Sequence, residues 1–320
     1  MDTFIQQLVN GLTLGSLYAL IAVGYTVVYG ILQLINFAHG EVFMIGAFGA
    51  LTTSLVLFKG NTALWTLPVM ILGAVIASVT TAVLMERFAY RPLRSAPRLA
   101  PLITAIGVSV FLQELGRLNY NKVPFTSWNP FNLPDARSRI PFPQIDMVTG
   151  PAIQIGGVTI QRAAIFTMAA LVLCSVLLWY FINRTKTGRG MQAVSQDPDT
   201  ARLMGINVDR IIVVAFTLGA ILAAVAGVAQ GLQNNNIDFR MGFLAGLKAF
   251  TAAVIGGIGN VAGAVLGGLV LGVTEAMATQ YIPGQFGGGP WKDVWAFVML
   301  ILVLVFRPQG LLGAKEVDRA

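Results

Sequence analysis

Apolar residues fall in long runs separated by short polar breaks, and most runs are long enough to cross ~30 Å of hydrocarbon as helix. They lie near 8–32, 42–58, 64–85, 99–116, 163–183, 211–232, 244–259, 261–281 and 293–306. The runs 42–58, 244–259 and 293–306 are short, which predicts tilt, a re-entrant course or extension into their flanks. The pattern predicts an all-α chain, a polytopic transmembrane helical bundle forming a single domain over 1–320, with about eight or nine spans.

The polar breaks differ in character. The one at 183–210 is long and holds Asp197-Pro198, a helix-start signal: Asp caps free amides, and Pro fits the first helical position, where no N–H is missed. Gly205 reads as the stop, because Gly accepts the left-handed conformation after a last turn. About two turns of helix lie between them, too few to hold alone in water. Pro198, Ala201 and Met204 recur at three-residue spacing and predict a small apolar knob offered to a partner; the alternative is a solvated loop with one turn.

Basic residues cluster at 86–98 (Arg87, Arg91, Arg94, Arg98), at 183–210 (Arg184, Lys186, Arg189, Arg202, Arg210) and after Phe306 (Arg307, Lys315, Arg319). Their density places these three stretches, and the C-terminus, on the cytoplasmic side. The poorly basic turns 59–63 and 281–292 go outside, as does the N-terminus. The segment 117–162 carries Pro124, Pro130, Pro134, Pro141, Pro143 and Pro151, which excludes continuous helix. It reads as an extracytoplasmic cap, with a hairpin formed by 152–155, a Gly156-Gly157 turn and 158–161. Its own Arg117, Lys122, Arg137, Arg139 and Arg162 run against the charge rule, at lower density over a longer stretch.

Composition narrows the function. Hydrophobic residues are 56% of 320, charged residues 11%, and mean hydropathy is +0.73. Soluble domains carry about 25% charged residues, so this chain belongs in a membrane. The net charge of +7 sits in connecting loops and sets orientation; it is not a nucleic-acid surface. The single Cys, Cys174, lies in an apolar run, which excludes an intramolecular disulfide or a Cys metal cluster. The opening MDTFIQQ has no basic region, so the first span is expected to be retained.

Candidate chemistry is sparse. Glycines inside the spans read mainly as close helix packing. In Gly256-Gly257-Ile258-Gly259 they are dense enough to break a helix, which predicts a turn or a half-helix junction. Ile35-Asn36-Phe37-Ala38-His39-Gly40-Glu41 holds the one His of the sequence. Two readings of it stand: a polar turn in which Asn36 or His39 bonds free backbone groups, or a broken helix beside a permeation path. Glu41, Glu114, Lys248 and Glu275 are candidates for burial in the spans, few for a proton-driven carrier. No nucleophile, base or metal constellation accompanies His39, so catalysis, a metal and a bound cofactor are not expected. No GxxxxGK[ST] sequence is present, so an ATP-driven process requires a separate ATPase.

The motifs resemble the branched-chain amino-acid ABC permease family over essentially the whole chain. The likeness is carried by Gly11-Leu12-Thr13-Leu14-Gly15-Ser16-Leu17-Tyr18-Ala19-Leu20, by 35–41, by Ala89-Tyr90-Arg91-Pro92-Leu93-Arg94, by Gly188-Arg189-Gly190 and by Leu203-Met204-Gly205-Ile206-Asn207. The runs 248–259 and Pro308-Gln309-Gly310-Leu311-Leu312-Gly313 complete it, and the proline-rich segment is its weakest part. The set is most similar to the LivH-type member of the permease pair. The resemblance implies a bacterial inner-membrane importer in which this chain and a LivM-type permease form the path. Two cytoplasmic ATPases using ATP and Mg, and a periplasmic protein delivering leucine, isoleucine or valine, would complete it. It also implies that Arg189 through Gly205 contains the coupling helix; with the capping signals this marks Arg189, Asp197, Ala201, Met204 and Gly205 for ATPase coupling. Asn36, Phe37, His39, Glu41, Gly256, Gly257 and Gly259 are candidate path or broken-helix positions. Family members for urea, short amides or other amino acids are alternatives within the same reading. A self-sufficient ion-coupled carrier and a membrane-embedded enzyme are the alternatives outside it.

Overall fold

A computed structural model describes residues 1–59, 61–94, 96–97, 99–118 and 139–313. Readings that rest on Arg98, on 119–138 and on 314–320 fall outside the described residues. In chain order the helices are α1 (Asp2–Leu32), α2 (His39–Phe58), α3 (Thr66–Met85), α4 (Leu99–Arg117), α5 (Arg162–Arg184), α6 (Lys186–Gln196) and α7 (Pro198–Leu203). Then follow α8 (Val208–Asn234), α9 (Met241–Gly256), α10 (Val261–Tyr281) and α11 (Lys292–Phe306). Among the described residues, eight helices are long and apolar enough to cross a membrane. The short apolar α9 has 16 residues, roughly 24 Å. The span boundaries read from hydrophobicity therefore hold to within a few residues, and the ambiguity between eight and nine resides in α9.

α1 is the axis of the bundle. Every residue from Gly15 to Val28 is buried, which no lipid-facing helix achieves. Small residues make this possible: a Cβ on Gly15 would lie 2.8 Å from the Gly268 carbonyl oxygen and from Leu269 Cα, so α1 and α10 meet backbone to backbone. The lipid-facing shell is formed by other helices, which present Leu72 and Ile76 on α3, Ile103 and Phe111 on α4, Val172 and Leu177 on α5, and Val305 on α11.

The predicted hairpin is present as β2 (Pro151–Ile155) and β3 (Val158–Gln161), antiparallel, with Gly156 at φ +59°. It is tied to α1: the Thr159 amide donates to Gln6 Oε1 at 2.7 Å, and Gln6 Nε2 donates to the Thr159 carbonyl at 3.1 Å. The short strands β1 (Ile140–Pro141) and β4 (Asn236–Ile237) pair nearby. These features mark a hairpin side of the bundle; α6 and α7 lie on the opposite side.

Between α9 and α10 the chain turns within 257–260, with Gly257 at φ +105° and Gly259 at φ +94°. The turn is the dock for the segment after α11. Leu311 N–H donates to the Ile255 carbonyl at 2.8 Å, Leu312 N–H to that of Gly256 at 2.9 Å, and Asn260 Nδ2 to that of Leu312 at 2.9 Å. A Cβ on Gly257 would sit 2.5 Å from Gly313 N. Of the two sequence expectations, the turn is what forms, and its glycines admit a neighbouring backbone.

Candidate permeation and coupling sites

The link between α1 and α2 re-enters the bundle. Gln33 takes the left-handed conformation at φ 51°, and 34–38 fold back so that α2 starts beside Gly24. Gly24 lies eight residues, roughly 12 Å, before the end of α1. His39 is 3% exposed, fitted between Gly24 on α1 and Gly219 on α8, with its ring edge-on to Tyr25 at 4.7 Å. Asn36 Oδ1 accepts from the Ala38 amide at 3.1 Å and from Tyr90 Oη at 2.6 Å. Phe37 packs against Phe250 with the rings tilted by 55° and their centres 5.7 Å apart. Glu41 is 0% exposed; its Oε1 accepts from Gln113 Nε2 at 2.8 Å and Ser109 Oγ at 3.0 Å. Gly242, at the start of α9, leaves room for its other oxygen. This cluster closes a re-entrant junction, and Ile35 and Ile258 line one small void of ≈ 10 Å³, so the two sequence breaks are neighbours.

A second buried polar cluster joins α1, α9, α10 and α11. Lys248 Nζ donates to Glu275 Oε1 at 2.8 Å and Tyr18 Oη at 3.1 Å, and lies 2.5 Å from Asp293 Oδ1. Tyr18 Oη donates to Glu275 Oε2 at 3.1 Å. The sequence reading named Lys248 and Glu275 but not their partners; Asp293, in the first turn of α11, is the group it missed. Glu114 is a correction: it is half exposed and paired with Arg117 at 2.7 Å, because α4 turns that position away from the bundle. The arginines of 86–98 also pair, Arg91 with Asp209 at 2.7 Å and Arg94 with both Asp209 and buried Glu86.

On the side opposite the hairpin, α6 was not anticipated. Gly188 and Gly190 depress its helix propensity, yet Thr185 caps it by accepting from the Gly188 amide at 2.9 Å. Gly188, Gly190, Met191 and Val194 are buried and Arg189 is exposed, an amphipathic pattern that was legible. Asp197 ends α6 and caps α7: Oδ1 accepts from the Asp199 amide at 2.9 Å and the Thr200 amide at 3.2 Å, and Oδ2 from Thr200 Oγ1 at 2.5 Å. The hydroxyl bond and the two amide bonds hold its carboxyl below the ordinary carboxylate range. The cap is therefore complete above that range and weakens as pH falls through the lowered value. Gly205 has φ +81°, and the Ile206 amide donates back to the Ala201 carbonyl at 3.0 Å.

Ala201 departs from the reading that gave it to the docking side. It is 3% exposed and packs inward with the core, because the inward face of α7 rests on its own chain. The apolar tip is formed instead by Leu203 and Met204, 88% and 78% exposed.

Two open cavities flank the buried middle of α1. The one on the hairpin side has a volume of ≈ 510 Å³ and that on the α6 side ≈ 240 Å³. The second is bounded by Thr26 and Gly30 on α1, Gln192 and Ser195 on α6, and Gly259.

The fold defines a multi-pass membrane protein. The chain belongs to the family described as branched-chain amino acid transport system / permease component, whose sequence pattern matches residues 7–304. It is 46% identical to the high-affinity branched-chain amino acid transport system permease protein BraD of Pseudomonas aeruginosa, covering 99% of this chain and 98% of that one. It is 42% identical to the corresponding LivH of Salmonella typhimurium and 40% identical to that of Escherichia coli K12, in each case over 99% of this chain and 97% of the relative. These relatives are permease subunits, and the chain is a transport component rather than an enzyme.

Proposed function

We propose that this chain is one of two permeases in an ATP-driven importer of branched-chain amino acids, set in the bacterial inner membrane with its hairpin side and N-terminus outside. In this reading 117–162 is the extracytoplasmic segment, 183–210 is the cytoplasmic coupling loop, and the C-terminus is cytoplasmic. A LivM-type permease completes the path, two ATPases using ATP and Mg dock on the cytoplasmic side, and a periplasmic protein delivers the substrate. The substrate class follows from the relatives' names at 40–46% identity over nearly their full lengths. The observation that carries the coupling role is the apolar Leu203–Met204 tip on a capped, six-residue helix that projects into water. Exposed apolar side chains held this rigidly favour a partner that covers them.

Orientation is tested by thiol labelling. In a Cys174→Ser background, Asn61→Cys should react with a membrane-impermeant reagent in intact cells and Thr200→Cys should react only after the membrane is opened. Labelling of Thr200→Cys from outside reverses the topology and removes the coupling role.

A further inference from the structure

We propose that the cavity on the hairpin side is a substrate vestibule built for small solutes of no net charge, with Asn10 and Thr13 on its wall. The proposal rests on the transport reading above and adds a site to it. The cavity, ≈ 510 Å³, falls within the ~300–1,000 Å³ of small-molecule sites and opens to solvent.

Its chemistry is distinctive. α1 contributes Gln6, Asn10 and Thr13, β3 contributes Gln161, and the end of α8 contributes Gln233 and Asn234. Among the described residues that line it, none is Asp, Glu, Lys or Arg. Positions 6, 10 and 13 follow the helical repeat, so one polar stripe of α1 faces this space. Amides and hydroxyls on a helix that goes on to run through an apolar bundle are costly against lipid and are placed where they meet water or a polar ligand.

Part of this polar lining is held within the chain: Thr13 Oγ1 donates to the Val9 carbonyl at 2.8 Å, and Gln233 Nε2 donates to Thr167 Oγ1. Gln6 is fixed by its two bonds to Thr159 and donates to Asn10 Oδ1 at 2.9 Å. Asn10 is exposed, and its Nδ2 is 3.5 Å from Gln7 Oε1, a long contact. Side-chain amides serve as donor and acceptor at once, so they satisfy a carboxylate and an ammonium on one ligand without fixing a net charge. A solute of net charge would leave water with no counter-charge on these walls. Val9, Leu14 and Ala164 add an apolar wall for an aliphatic side chain. Past the cavity α1 is buried from Gly15 to Val28, and the ≈ 240 Å³ cavity begins at Thr26 and Val27, at the far end of that stretch.

The test uses the complete importer in right-side-out membrane vesicles, with Asn10→Cys and, separately, Thr13→Cys in a Cys174→Ser background that itself retains leucine uptake. A membrane-impermeant methanethiosulfonate reagent should modify both thiols from the outer face. Leucine delivered well above the concentration that saturates uptake should slow modification several-fold, and aspartate should not. Asn61→Cys should be modified at one rate throughout. Thiols that react equally fast with and without leucine, or that never react because another subunit covers them, overturn the vestibule while uptake still upholds the transport reading. Failure of the unsubstituted complex to take up leucine overturns the transport reading itself.

Discussion

Replacing Leu203 and Met204 together by Asp is expected to abolish uptake while the chain remains in the membrane at its normal level. Both side chains are almost fully exposed, so the substitution removes no packing within the chain. Asp197, Gly205 and the buried Ala201 still define α7. What changes is the surface offered to a partner: two apolar anchors become two charges that a fitted cleft would have to desolvate. An anchor at the centre of an interface is worth about 2 kcal/mol or more, so ATPase association should fall by at least ~30-fold. Ala201→Trp is the informative contrast. Its side chain points into the chain, so overpacking of about 1–3 kcal/mol should lower abundance as well as uptake. Quantitative membrane blots, uptake rates and pull-down of the ATPases separate the two. Normal uptake by the double variant would mean that the α7 tip is not the contact.

Lys248→Met is expected to be the most damaging single substitution to the bundle. It leaves Glu275, buried on α10 against Tyr18 of α1, and Asp293 as two carboxylates with their shared cation gone. Removing one member of a buried pair costs about 3–5 kcal/mol, a large share of the stability of most proteins. The Lys248→Met chain should be scarce in membranes and should melt at a clearly lower temperature in detergent. Lys248→Met combined with Glu275→Leu and Asp293→Asn should recover much of the loss, because no buried charge is left uncompensated. If Lys248→Met alone accumulates and melts normally, the cluster contributes little to holding α11.

Much of this was legible in the residues. Uninterrupted apolar runs gave the helices because a backbone in lipid must satisfy its own hydrogen bonds. Asp197-Pro198 and Gly205 gave α7 because capping is local chemistry. Gly156-Gly157 gave the hairpin for the same reason. What was hidden depends on long-range juxtaposition. Spacing alone cannot tell which face of a six-residue helix meets its own chain, so Ala201 was assigned outward and Leu203 passed over. α6 was hidden by glycines that lower propensity but are required where Gly188 meets the end of α5. Asp293 gave no signal until α11 was laid against α9. His39 stands out in the sequence by its rarity, and only the fold shows its close-packed place between two glycines.

The central claim, that this chain is a passive half-path worked by ATPases through α7, is tested most directly by its energy source. Leucine uptake would be measured in proteoliposomes containing either this chain alone or the full set of two permeases, two ATPases and the binding protein. The account predicts uptake only by the full set with ATP on the ATPase side, and none by either preparation under an imposed proton or sodium gradient without ATP. Gradient-driven accumulation by this chain alone would contradict it.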